Sequence, residues 1–193
     1  KLNNIDYKKG IKAVFVGNIA HNKGQIQVLK CINKLPKKIR EKIHVDFYGS
    51  YGKRNKLYIE PYLKLNHLNK YISFKGYIND VENLLSNYNL GFMCSKSEGF
   101  GRVTVDYMLN GIPVIASNTG ANQKIITNRK TGFIYKYNDI NDLTNKIIDV
   151  YNCKKINEVV KEARNTSIEK YNVIKSADEI YKVYVELLHS YKK

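Results

Sequence analysis

The sequence has 193 residues, 43% of them hydrophobic and 26% charged, with a formal net charge of +16. That apolar content suits one domain with a sizeable core and excludes an intrinsically disordered chain; no apolar run reaches the ~18 residues of a membrane-spanning helix. Cys31, Cys94 and Cys153 are odd in number, far apart and without Cys-x-x-Cys spacing, which argues against a disulfide framework or a cysteine zinc site and fits a reducing cytoplasm.

The chain begins at Lys1, and an excised domain or a processed chain is expected. A first short apolar run, Ala13–Gly17, predicts a strand, followed by a helix over Lys23–Leu35. The pattern repeats: strand His44–Gly49 and helix Arg54–Leu65, then strand Ile72–Gly76 and helix Val81–Ser86. Strand Leu90–Ser95 precedes helix Arg102–Leu109; strand Pro113–Ser117 precedes helix Gln123–Thr127; strand Gly132–Tyr135 precedes helix Asp142–Tyr151, with Asp139 placed as its cap. Helices Lys155–Glu169 and Ser176–Ser190 close the chain, the last carrying Ile180, Val183, Tyr184, Leu187 and Leu188 on one face.

Short continuous apolar strands alternating with helices predict an α/β fold: a doubly wound parallel sheet with helices on both faces, in three layers. Ligands of such sheets bind beyond the carboxyl ends of the strands. The strand-to-helix loops at Gly17–Lys23, Gly49–Lys53, Gly76–Asp80, Ser95–Gly101 and Ser117–Gly120 are therefore the candidate site.

One of these loops carries unusual chemistry. Glu98 precedes Gly99-Phe100-Gly101, and Asp106 follows eight residues after Glu98. Gly101 to Thr104 open the predicted helix, where unpaired amides and the helix dipole suit a phosphate. The two glycines allow close backbone approach. Carboxylates accept hydroxyl donors, so a ligand with a sugar on each side of its phosphates would engage Glu98 and Asp106 at opposite ends.

Glu98-Gly99-Phe100-Gly101, followed by Gly111-Ile112-Pro113-Val114-Ile115-Ala116-Ser117, resembles the signature of glycosyltransferase family 4, the group 1 glycosyltransferases. Gly17 to Gly24 is similar to the family's first glycine loop, Gly76-Tyr77-Ile78 to its base-contacting loop, and Thr131-Gly132-Phe133 to its late strand. The resemblance implies a Rossmann-like domain, the C-terminal donor-binding half of a GT-B fold. Residues 1–193 form that single domain, with the C-terminal helices from about 155, and the N-terminal acceptor half lies outside this sequence.

By the same resemblance, the ligand is a nucleotide-diphosphate sugar, transferred with retention to a glycan or lipid-linked acceptor in surface polysaccharide synthesis. Glu98 and Lys23 are the implied catalytic residues: Glu98 accepts hydroxyls of the transferred sugar, and Lys23 neutralises the departing diphosphate. Donor contacts are implied for Gly17, Asn18, Tyr77, Ile78, Gly99, Phe100, Gly101 and Val103, with Asp106 on the ribose. No Asp-x-Asp motif occurs, and no metal or other cofactor is expected. The enzyme is placed in the cytoplasm or at the inner face of the membrane, with peripheral membrane association of the full-length protein, and this domain alone is expected to be inactive.

The sequence departs from the family pattern at Asp106, where a glutamate is usual, at Asn18, where an arginine is usual, and at Ala121 and Lys124. These departures keep two other readings open: an epimerase-like enzyme and a catalytically silent nucleotide-sugar-binding module. A nucleic-acid partner is not expected. Only five of the 33 basic residues are arginine, and no lysine run exceeds two, a composition that matches AT-rich coding, without a nucleic-acid motif. His21 lies in the first loop, within reach of a phosphate, whereas His44, His67 and His189 show no ligand spacing.

Overall fold

A computed structural model describes residues 4–171 and 173–190. Six parallel strands, β1 (Ile11–Val16), β2 (Ile43–Tyr48), β3 (Ile72–Gly76), β4 (Leu90–Met93), β5 (Val114–Ser117) and β6 (Phe133–Tyr135), form one sheet in the order β3-β2-β1-β4-β5-β6. The central strands β4 and β5 are buried at every position. That explains their continuous apolar runs. The expected α/β parallel architecture is the one observed.

The helices are α1 (Gln25–Lys34), α2 (Lys37–Arg40), α3 (Lys53–Leu65), α4 (Val81–Leu85), α5 (Arg102–Leu109), α6 (Asn122–Ile125), α7 (Ile140–Asn152), α8 (Ile156–Lys170) and α9 (Val173–Ser190). Two cores result. On one face, α1 packs on α7, and Val28, Leu29, Ile32, Leu143 and Ile147 meet Ala13, Phe15, Phe47 and Phe92. On the other, α5 packs on α8, and Val105, Tyr107, Met108 and Ala163 meet Val14, Met93 and Val114.

The winding reverses between β1 and β4. β1 pairs with β2 at six successive positions but with β4 only at Ala13–Leu90 and Val14–Gly91. Past that pairing, the Val16 amide donates to the Tyr107 hydroxyl (2.9 Å), which in turn donates to the Val14 carbonyl (3.4 Å). Burial pushes the Tyr107 phenol well above its ordinary pKa, so it keeps its proton and its donor role. Gly91 makes room for that ring, because a Cβ there would lie 2.5 Å from Tyr107 Cδ2.

Several expected boundaries move, each for a tertiary reason. The first helix starts at Gln25 rather than Lys23. His21–Lys23 forms a separate 3-10 turn, and Gly24 takes a left-handed φ of 82°. A Cβ on Gly24 would lie 2.2 Å from the Cys94 carbonyl, so the turn is pressed against the end of β4. β4 ends at Met93 rather than Ser95, because side chains take the next carbonyls: Gln27 Nε2 donates to Cys94 O, and Ser117 Oγ and Thr119 Oγ1 donate to Ser95 O.

Helices not anticipated are α2, behind Pro36, and a 3-10 turn at Leu68–Lys70. Asp139 does cap α7, accepting from the Asp142 amide at 2.9 Å. The apolar stripe of α9 faces solvent, with Ile180, Val183, Tyr184, Leu187 and Leu188 all exposed. No helix among the described residues is long and apolar enough to cross a membrane.

Gly91→Ala is expected to destabilise the chain by ~1–3 kcal/mol through overpacking against Tyr107; equilibrium urea unfolding measures it.

Candidate donor-binding site

Where β1 and β4 part, three loops converge: the one after β1 (Gly17 to Gly24), the one after β4 (Cys94 to Gly101) and the one after β5 (Asn118 to Ala121). Their backbones touch directly. The Lys96 amide donates to Asn22 O (2.7 Å) and the Ala121 amide to Glu98 O (2.9 Å). Gly120 holds a left-handed φ of 54°, and a Cβ there would lie 2.4 Å from Glu98 O and 2.6 Å from Glu98 N. Only a bare α-carbon lets the third loop support the Glu98 backbone this closely.

The convergence brings together residues 75 positions apart. Lys23 Nζ lies 2.7 Å from Glu98 Oε1, and both side chains are mostly enclosed, 31% and 17% exposed. Ser95 Oγ donates to the same oxygen at 2.6 Å. Hydrogen bonds from an ammonium and a hydroxyl to a carboxylate are charge-assisted and short.

Beside this pair, α5 starts at Gly101, which is left-handed at φ 76°. The first intrahelical bond runs from the Val105 amide to Gly101 O, so the amides of Arg102 to Thr104 have no partner within the helix. A Cβ on Gly101 would meet Ile125 Cδ1 at 2.6 Å, whereas one on Gly99 would meet nothing within 4 Å. Close packing therefore explains Gly101 but not Gly99.

The first turn of α5 also walls a cleft of about 470 Å³, with Val16, Gly17, Asn18, Tyr48, Gly49, Tyr77, Ile78, Asn79, Asp80, Val81, Arg102, Val103 and Asp106 in its lining. The sequence-derived candidates thus fall into two groups. Gly17, Asn18, Tyr77, Ile78, Val103 and Asp106 share the cleft. Lys23 and Glu98 pair outside its walls, just before the start of α5. The Phe100 side chain belongs to neither group: it is exposed and meets the Tyr171 ring edge-on at 6.1 Å. His21 is exposed and lies edge-on to Tyr58.

Sequence reasoning missed Arg102, whose Nε sits 3.8 Å from Asp106 Oδ2; the i,i+4 spacing on one helix was the available signal. It also missed Asp80, which caps α4 at the mouth of the cleft by accepting from the Asn83 amide. Ser95, three residues before Glu98 at the start of the same loop, was not singled out. Among the described residues, no three His, Cys, Asp or Glu side chains are grouped as a metal site.

This six-stranded parallel sheet, with helices on both faces and loops gathered at its switch point, is a Rossmann-like α/β fold. Residues 3–167 match the family of glycosyl transferases group 1, and the chain belongs to that family. Among curated relatives, the UDP-Gal:alpha-D-GlcNAc-diphosphoundecaprenol alpha-1,3-galactosyltransferase of Escherichia coli is 28% identical over 122 residues, 63% of this chain and 32% of the relative. An uncharacterised glycosyltransferase of Methanocaldococcus jannaschii is 29% identical over 186 residues, 94% of this chain and 49% of the relative. Both relatives are more than twice the length that this chain matches. Among solved structures, Anabaena HepE in complex with UDP superposes with a TM-score of 0.84 at 19% identity, over 92% of this chain and 49% of HepE; HepE has also been solved with UDP-glucose.

Gly120→Ala is expected to cost ~1–3 kcal/mol from the left-handed backbone and the collision with Glu98. Gly99→Ala should stay within about 0.5 kcal/mol; thermal unfolding of the two variants side by side checks the contrast.

Proposed function

We propose that this chain binds the nucleotide-sugar donor of a retaining glycosyltransferase, with Lys23 and Glu98 at the sugar-phosphate end and Asp106 at the nucleoside end. The observation that carries the reading is a cation–carboxylate pair just before one open helix N-terminus whose first residues, Arg102 and Val103, line a cleft of about 470 Å³. The UDP and UDP-glucose held by HepE support this class of ligand.

In this reading the diphosphate docks on the amides at the start of α5, and the nucleoside occupies the cleft. Asp106 accepts from the ribose hydroxyls, and the exposed Tyr77 ring offers a face to the base. Arg102, already beside Asp106, adds positive charge at the phosphate side of the ribose. The hexose then extends toward Glu98. As the bond between the anomeric carbon and the phosphate oxygen breaks, negative charge gathers on the leaving diphosphate. Lys23 and the helix amides stabilise that charge, and the acceptor hydroxyl passes its proton to the leaving phosphate oxygen as its own oxygen bonds to the same face of the anomeric carbon.

The acceptor, a glycan or lipid-linked saccharide as in the E. coli relative, is proposed to be held by a further domain of the full-length protein. This chain alone is then inactive, because transfer requires both substrates held together. Asn18, in place of an arginine, lowers the positive charge at the first loop. Asp106, in place of a glutamate, is shorter by one methylene, which draws the ribose toward α5.

Calorimetry with UDP, ADP, GDP and CDP tests the reading: one or more should bind, with affinity unchanged by EDTA. Lys23→Ala should weaken nucleoside diphosphate binding by ~1.5–3 kcal/mol and leave the free nucleoside nearly unaffected. Equal loss for both ligands would remove Lys23 from the phosphate site.

Asp106→Asn should weaken binding of nucleoside and nucleoside diphosphate alike, by ~1–3 kcal/mol, and a 2′,3′-dideoxynucleotide should not register the change. A dideoxy ligand that loses as much as the parent would place Asp106 away from the ribose.

A further inference from the structure

The Glu98 carboxylate is fastened through one oxygen. Lys23 Nζ and Ser95 Oγ both address Oε1, at 2.7 and 2.6 Å, and no hydrogen bond or ion pair among the described residues engages Oε2. Ser95 is completely buried, and its other hydroxyl contact is the Met93 sulfur at 3.7 Å, a weak acceptor. A serine hydroxyl has a single proton, and here the carboxylate is its strong acceptor.

The backbone of Ser95 is held independently of that hydroxyl. Its carbonyl accepts from Ser117 Oγ and Thr119 Oγ1, both at 2.7 Å, and the preceding carbonyl accepts from Gln27. Removing the hydroxyl therefore leaves the loop supported while freeing the carboxylate.

We propose that Ser95 is a positioning residue for Glu98: it pins Oε1 so that Oε2 faces the transferred sugar. The proposal rests on the donor reading above. Its reason is a division of labour between the two donors. Lys23 is partly exposed and is the cation available to the diphosphate; when phosphate draws its ammonium away, a glutamate held by lysine alone would follow it or rotate. Ser95 is neutral, buried and fixed, so it does not compete for phosphate and keeps the acceptor in place while the leaving group gathers charge. Glu98 would otherwise spend rotamer freedom at each sugar encounter.

The test is a binding cycle on Ser95→Ala, Glu98→Ala and the double variant, using UDP against UDP-glucose, with UDP-galactose and UDP-N-acetylglucosamine as further sugar arms. Ser95→Ala should lower nucleotide-sugar affinity on the order of five- to tenfold, leave UDP within about twofold, and add nothing in the Glu98→Ala background. If Glu98→Ala reduces sugar-dependent affinity but Ser95→Ala does not, the positioning role is overturned and the donor reading stands. If Glu98→Ala itself spares every nucleotide sugar, or the unmodified chain binds neither these nor any ADP-, GDP- or CDP-sugar, the donor reading falls and takes the proposal with it. Equal losses for UDP and UDP-glucose would make Ser95 a structural residue only, against the proposal. Should the alanine variant fail to fold, Ser95→Cys, similar in volume with a weaker donor, must show an intermediate loss confined to the nucleotide sugars; unchanged sugar affinity would refute the assignment.

Discussion

Two neighbouring parallel strands that feed helices on opposite faces of a sheet must separate at their carboxyl ends. β1 leads to α1 in one core and β4 leads to α5 in the other. Their pairing accordingly stops at Val14–Gly91. The Tyr107 hydroxyl takes the amide that the divergence leaves behind, reaching across from α5 through space cleared by Gly91. The crevice is thus a consequence of the winding, and the groups that line it come from whichever loops the winding delivers.

What turns the crevice into a chemical site is close backbone contact between those loops. Gly24 against Cys94 O, and Gly120 against the Glu98 backbone, leave no room for a side chain. Buried hydroxyls and an amide side chain then occupy the carbonyls that β4 would have offered to a ladder. The strand gives up two residues of pairing so that the chain can turn and present Glu98 to Lys23. The trade is favourable because every freed carbonyl among these finds a donor.

The charge of the whole chain has a different relation to the site. A net charge of +16 creates a positive potential that favours approach of anionic ligands, but surface lysines are screened within about 10 Å at ordinary ionic strength. The charges at the candidate site are local instead: Lys23 beside Glu98 and Arg102 beside Asp106, each cation next to a carboxylate.

Much of this was legible along the chain. The alternation of apolar runs with helical periods determined the parallel α/β sheet, and the Glu98-Gly99-Phe100-Gly101 block with Asp106 located the loop and the helix start. These signals are local: strand burial and helix capping depend on residues within a few positions of one another. The start of α1, the end of β4, the exposure of the α9 stripe and the partnership of Ser95 with Glu98 were decided elsewhere. The first two depend on an atom brought close by the fold, Cys94 O beneath Gly24 and Ser117 Oγ on Ser95 O, more than twenty residues away in sequence, whereas Ser95 is only three residues from Glu98 and is aimed at it by the turn of the loop. Contacts at that separation leave no periodic trace in the chain, so only the tertiary structure could bring Lys23 from 75 positions away onto the same Glu98 oxygen that Ser95 addresses.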